Sequence, residues 1–160
     1  MDEIEQLIAR LDKARGKIEA LLPRVDPAKE IYPGWSIHRF LAHMTGWDEA
    51  FIASLRAHMG AGEYGIPAAR GVDHFNAQTI ETHETSNLEK VEQEWRQARL
   101  IFKDVLRSMP EEKFRQEMVA PWGARASVAR LVEVFIHHED KEHGPDLEKW
   151  LQNPDQPLEI

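Results

Sequence analysis

The chain has 160 residues, a net charge of −8, 42% hydrophobic and 30% charged residues, and no cysteine. That length suits one domain with a sizeable core and is too short for two. The 20 Lys and Arg are scattered among 28 Asp and Glu, which excludes the clustered basic surface that nucleic-acid affinity needs, and the missing cysteines exclude a disulfide framework, a thiolate nucleophile and Cys-ligated zinc. No stretch approaches the roughly 20 apolar residues of a membrane span. The acidic start Met1-Asp2-Glu3-Ile4-Glu5 lacks the basic and apolar regions of a signal peptide. A cytoplasmic protein with no nucleic-acid and no membrane partner is expected.

Four long helical patterns run along the chain. The first spans about Asp2 to Leu22, with Ile4, Leu7, Ile8, Leu11, Ile18 and Leu21 at helical spacing, and stops before Pro23. The second opens after Pro33-Gly34-Trp35 with Ser36 as N-cap and extends to about Met59, on a stripe of Ile37, Phe40, Leu41, Met44, Phe51 and Leu55. Gly60, Gly62, Gly65 and Pro67 mark a long loop, and a shorter helix follows at about Val72 to His83. The third long helix has the capping box Ser86-Asn87-Leu88-Glu89, carries Val91, Trp95, Ile101, Phe102, Val105 and Leu106, and ends before Pro110. A linker through Pro121-Trp122-Gly123 reaches the fourth helix, capped near Ser127 and interrupted at Gly144-Pro145, where proline removes a backbone donor. No strand alternation, repeat or low-complexity segment stands out. The expectation is one all-α helical bundle over residues 1–153 with an extended tail over 154–160.

The fourth helix carries the chemistry. Val128, Leu131, Val132 and Phe135 precede the run His137-His138-Glu139-Asp140-Lys141-Glu142-His143, and Leu147, Trp150 and Leu151 follow it. On a wheel of about 100° per residue, Glu139 lies within about 40° of the apolar axis and His143 within about 80°, while His137 points away. A carboxylate and an imidazole aimed at a core are costly to desolvate unless paired or bound to a cation. Glu-x-x-x-His on one face is half of a metal site. His138 and Glu142 form a rival i, i+4 pair, and a π-bulge would bring His138 and His143 together across five residues. His43, about 100° from the centre of the second helix's stripe, is the leading third ligand. The bland counterpart is a core-flanking histidine bonded to a carbonyl.

Asp48, near the same stripe, either orients a metal-bound histidine or pairs with an Arg. His38, His58, His74 and His83 have no chelating partner at helical spacing and read as surface or boundary residues. Trp47 and Trp122 either pack the core or line a ligand pocket. The chain has no phosphate loop, dinucleotide fingerprint or nucleophile elbow. His138-Glu139-Asp140-Lys141-Glu142 places Glu where the second zincin histidine would stand.

The stretch Gly34-Trp35-Ser36-Ile37-His38-Arg39-Phe40-Leu41-Ala42-His43-Met44-Thr45-Gly46-Trp47 resembles the second-helix signature of the DinB/YfiT-like superfamily. Val72-Asp73-His74-Phe75-Asn76 resembles its middle segment. Pro121-Trp122-Gly123, Ser127, then Glu142-His143 with Leu147 and Trp150, resembles its last helix. The order is most similar to the ClbS/DfsB-like branch. The resemblance implies an up-down-down-up four-helix bundle with a long crossover, a homodimer, and a divalent-metal site of one second-helix histidine and a His-x-x-x-His pair. His43 and His143 match the first and last ligands, and Glu139 stands where the family has the middle histidine. His138 takes that role only with a shift of helical registry.

Two functional expectations follow. In the first, His43, Glu139 and His143 hold a divalent cation (zinc or nickel, with manganese or iron as alternatives) that activates water or a thiol for hydrolysis of, or transfer to, a small electrophilic compound. In the second, a non-catalytic bundle binds a small molecule or acts through dimerisation, and Glu139 and His143 are a buried hydrogen-bonded pair.

Overall fold

An acidic side chain just ahead of an amphipathic run starts the first helix: Asp2 accepts from the Glu5 backbone N–H at 2.8 Å and caps α1 (Glu3–Leu21). The computed structural model describes residues 2–62, 65–83 and 86–159, with the side chains of Thr82 and His83 left out, so the reading of His83 lies outside it. The described residues are all-α in class. After a single 3₁₀ turn at Leu22–Arg24 come α2 (Ile37–His58), α3 (Val72–His83), α4 (Leu88–Ser108), the short α5 (Glu111–Arg115), α6 (Val128–His137) and α7 (Gly144–Trp150).

Asn87, rather than Ser86, caps α4 by accepting from the Lys90 N–H at 2.8 Å. Two small ribbons went unread in the sequence. β1 (Glu30–Tyr32) pairs antiparallel with β2 (Trp35–Ser36), and β3 (Glu117–Val119) with β4 (Arg125–Ser127). Each turns on a glycine with positive φ, Gly34 at 79° and Gly123 at 94°, the geometry only glycine adopts without strain.

Contacts divide the chain into two compact units, 1–40 with 132–160, and 41–131. In the first unit, Leu7, Leu11 and Ile18 of α1 and Leu147 and Trp150 of α7 are buried, and α1 packs against α7 and the turn before it. The tail returns to β1: the Leu158 N–H donates to the Ile31 carbonyl at 2.7 Å, and Lys29 pairs with Asp155 at 2.7 Å. In the second unit, Phe51, Leu55, Val91, Trp95, Phe102 and Leu106 are buried, with the Phe51 and Phe102 rings 5.2 Å apart. Here α2 and α3 approach closely at Gly46, where a Cβ would stand 1.7 Å from Thr79 Cγ2. No helix among the described residues is long and apolar enough to cross a membrane.

The Gly144-Pro145 interruption takes a specific form. Residues His138–His143 make a π-helical turn that joins α6 to α7. The Gly144 N–H donates to the Glu139 carbonyl, the i to i+5 bond of a π-turn. A Cβ on residue 144 would lie 2.6 Å from that carbonyl oxygen, so only glycine closes the turn. Proline 145 then sits in the first turn of α7, where its missing N–H costs nothing.

Candidate functional site

In the first unit the π-turn presents Glu139 and His143. Glu139 is 3% exposed and Arg15 of α1 likewise 3%. Arg15 Nε donates to Glu139 Oε1 at 3.0 Å and Nη2 to the same oxygen at 2.6 Å. The cost of desolvating the carboxylate is thus met by a guanidinium. Arg15 was legible as a partner, since it lies between Leu11 and Ile18 at spacings of four and three on the apolar face of α1.

The π-turn also brings the His138 and His143 rings to 5.1 Å, the juxtaposition expected of a π-bulge. His138 pairs with Glu142, Nε2 to Oε2, at 3.0 Å on a half-exposed edge. His137 is exposed, as its place on the wheel requires.

His143 is packed among rings and oxygens of its own unit. Phe40 stands edge-on to it at 5.3 Å. The Tyr32 hydroxyl lies 3.3 Å from Nδ1 and donates to Asp146 Oδ2 at 2.6 Å. Burial holds the His143 imidazole well below its ordinary value, down to about 4; the neighbouring His138 adds to that, while Glu139 and Asp146 pull the other way. The ring is therefore neutral at pH 7. Burial also raises the Tyr32 phenol, and the bond to Asp146 raises it further. Sequence periodicity gave no sign of Tyr32, because it sits on a three-residue strand and not on a helical stripe.

In the second unit, His43 and Trp47 lie one turn apart on α2 and converge on Asn76 of α3. Trp47 Nε1–H donates to Asn76 Oδ1 at 2.7 Å, and His43 Nδ1 lies 3.0 Å from the same oxygen. An indole nitrogen can only donate, which fixes that atom as the amide oxygen. The atom facing it on His43 must then be Nδ1–H, which in the neutral ring leaves the lone pair on Nε2. Asn76, and not Asp48, is the residue that meets the His43 ring. Asp48 instead pairs with Arg99, Nε to Oδ2 and Nη2 to Oδ1, both at 3.0 Å, with side chains 2% and 5% exposed.

The Trp47 ring packs on Phe75 at 4.4 Å and meets Trp122 edge-on at 5.9 Å. His58, expected at the surface or boundary, is buried and donates from Nε2 to the Lys113 carbonyl at 2.7 Å. His74 is exposed and His38 half-buried. Among the described residues, no three His, Cys, Asp or Glu side chains are gathered as a metal-binding group.

Two solved structures share the fold. Mycothiol-dependent maleylpyruvate isomerase aligns with a TM-score of 0.72 at 16% identity over 91% of this chain. A histidine-to-alanine mutant of that enzyme aligns with 0.71 at 14% identity, again over 91% of this chain. The chain spans about three-fifths of their length, 61% of each. At such identity the likeness shows the fold alone, the all-α, DinB-like bundle expected from the sequence. No curated protein matches the chain. The family match runs over residues 4–141, most of the sequence, and the chain belongs to the mycothiol maleylpyruvate isomerase N-terminal domain family, within the DinB-like superfamily.

Proposed function

We propose that this protein is a metal-dependent enzyme that uses a small thiol, or water, to attack a small electrophilic compound. His43 and His143 would hold the cation through Nε2, with Glu139 as the anionic ligand and His138 as the alternative to it. The observation that carries the reading is the Asn76 oxygen shared by Trp47 and His43. Metal-ligating histidines characteristically donate their other ring N–H to a fixed acceptor, which sets the tautomer and aims the lone pair.

The donor chemistry fits a divalent ion of the zinc or nickel class, with manganese or iron as alternatives: two neutral imidazoles and one carboxylate. Such a cation, when bound, would supply Lewis acidity that lowers the pKa of a bound thiol or water. The remaining work falls to the chain. Burial keeps the His143 ring unprotonated, and Arg15 fixes the Glu139 carboxylate with two N–H donors in a dry setting. With no cysteine in the chain, the nucleophilic sulfur must arrive on a cosubstrate. The family's name supports a low-molecular-weight thiol. The ClbS/DfsB-like motif order, action as a homodimer and a cytoplasmic setting belong to this same proposal.

The test is elemental analysis of untagged protein with His43→Ala and His143→Ala beside it, followed by electrophile consumption with and without added thiol. About one metal per chain in the parent, lost in both variants, and thiol-dependent turnover are expected. Full metal content in either variant, or none in the parent after loading with each ion, overturns the metal site.

One observation favours a second reading, a non-catalytic bundle that binds a small molecule. Arg15 alone places two donors on Glu139, so the buried carboxylate is already paired without a metal ion. Small-molecule binding by metal-free protein, with no turnover in any thiol, is the result that would select it.

A further inference from the structure

We infer that Tyr32 and Asp146 are positioning residues for His143, locking its ring as the Nδ1–H tautomer so that Nε2 carries the lone pair. The inference rests on the metal-site reading for its purpose, but not for its geometry. Tyr32 has one hydroxyl proton and two neighbours that could accept it. Asp146 Oδ2 is at 2.6 Å and His143 Nδ1 at 3.3 Å. A hydroxyl donating to a carboxylate makes the shorter and stronger bond, so the proton goes to Asp146. The Tyr32 oxygen is then left as an acceptor, and only a protonated Nδ1 can face it. The series runs His143 Nδ1–H to Tyr32 Oη, and Tyr32 Oη–H to Asp146. The 3.3 Å separation is long for such a bond and has room to shorten when Nε2 is engaged.

Two further observations show that the phenol is held for this contact. Its ring is 7% exposed, stacked on Phe40 at 6.1 Å and edge-on to Trp35 at 6.0 Å. The strand that carries it is tied down on the far side, where the Ile31 carbonyl accepts from the Leu158 N–H at 2.7 Å. Asp146, in turn, lies three residues beyond His143, across Gly144-Pro145. The π-turn and the proline-started helix therefore set the spacing between the imidazole and the carboxylate. His143 gets from a phenol and a carboxylate what His43 gets from the Asn76 amide, and both rings end with Nε2 as the basic nitrogen.

The experiment uses metal-free protein labelled with ¹⁵N-histidine. Long-range ¹H–¹⁵N correlations at neutral pH read the tautomer of each ring, and cobalt(II) titration then reads affinity. Parent protein should show His143 protonated on Nδ1. Tyr32→Phe should move it toward the Nε2–H form and weaken cobalt(II) binding about 10- to 100-fold at unchanged circular dichroism. Asp146→Asn, at a partly exposed position, should give a mixture and a smaller loss, and it carries the test should Tyr32→Phe not fold.

An Nε2–H ring in the parent, or an unmoved Nδ1–H ring in the folded variants, overturns the inference. If the parent binds no cobalt(II) while the tautomer responds, the metal-site reading fails and the relay stands. If cobalt(II) binds and neither variant changes tautomer or affinity, the relay fails and the metal-site reading stands.

Discussion

Among the described residues, each unit buries one guanidinium against one carboxylate, and the two pairs are built differently. Arg99 meets Asp48 fork to fork, one nitrogen for each carboxylate oxygen, the arrangement that fixes a geometry most fully. Arg15 turns the same Nε and Nη2 edge to Glu139, but both of these nitrogens donate to one oxygen, Oε1. Asp48 sits in a regular α-helix, whereas Glu139 sits in a π-turn beside a neutral histidine. Buried ion pairs contribute little net stability over apolar replacements, yet removing one partner is costly. The first pair thus reads as a rigid core fastening. The second holds its carboxylate through one oxygen, at the turn that also carries the neutral His143 ring.

The largest expected effect comes from breaking either pair. Asp48→Asn and Glu139→Gln should each cost about 3–5 kcal/mol in urea unfolding, because each strands a buried guanidinium. Only Glu139→Gln should also abolish metal uptake by the folded fraction. Replacing both members, Arg99→Met with Asp48→Leu or Arg15→Met with Glu139→Leu, should recover most of the stability. Metal uptake should survive the first double replacement and be lost in the second. If Asp48→Asn strips the metal while folded, or if Glu139→Gln retains it, the contrast between the pairs collapses.

A second effect comes from the pH dependence of the metal-free protein. His143 has a folded-state value of about 4 against an ordinary 6.5, so between those values the unfolded chain binds a proton that the folded chain refuses. Stability therefore rises with pH through this window. The contribution is fully present above pH 6.5 and is lost progressively as pH falls to about 4. It amounts to roughly 3 kcal/mol at most. His143→Asn should flatten that part of the profile of urea midpoint against pH. An unchanged slope would mean that the ring is not desolvated as described.

Much of this was legible because helices advertise themselves. The stripes of α1, α2 and α4 and the caps near Ser86 and at Ser127 carry local information, and the motif from Gly34 to Trp47 carries the superfamily. The registry ambiguity at His138 was itself a reading of the π-turn: five residues separate two histidines beside Gly144-Pro145, and only a wider turn serves both. The outer contacts were hidden for reasons of distance. Asn76 reaches His43 across 33 residues and Tyr32 reaches His143 across 111, and neither partner lies on a stripe that names its contact. The ribbons were missed because strands of two or three residues are too short to alternate. Pro33-Gly34 between Ile31-Tyr32 and Trp35 was the signal available.

Gly144 tests whether the π-turn is required or incidental. Its φ is −63°, so alanine meets no backbone strain, and the obstacle is the Glu139 carbonyl 2.6 Å from the new Cβ. Gly144→Ala should cost about 1–3 kcal/mol, the range for overpacking, and should push the turn toward α-helical registry. The His138 and His143 rings would then leave their 5.1 Å contact, which ring-to-ring nuclear Overhauser effects report. Gly46→Ala, forced against Thr79, should cost a similar amount but leave that contact in place, and Thr79→Ala should relieve it.

Gly16 is the smallest and cleanest control. It lies inside α1, exposed, with nothing within 4 Å of a built Cβ. Alanine there restricts the unfolded chain and removes no native contact, so Gly16→Ala should stabilise by about 0.4–1 kcal/mol. Arg15 is its neighbour in sequence, and a stiffer backbone at residue 16 leaves the Arg15–Glu139 bonds where they are. Metal uptake should therefore be unaltered while the urea midpoint rises. A fall in stability would show that α1 bends at Gly16 to deliver Arg15, and would make the glycine part of the Glu139 arrangement.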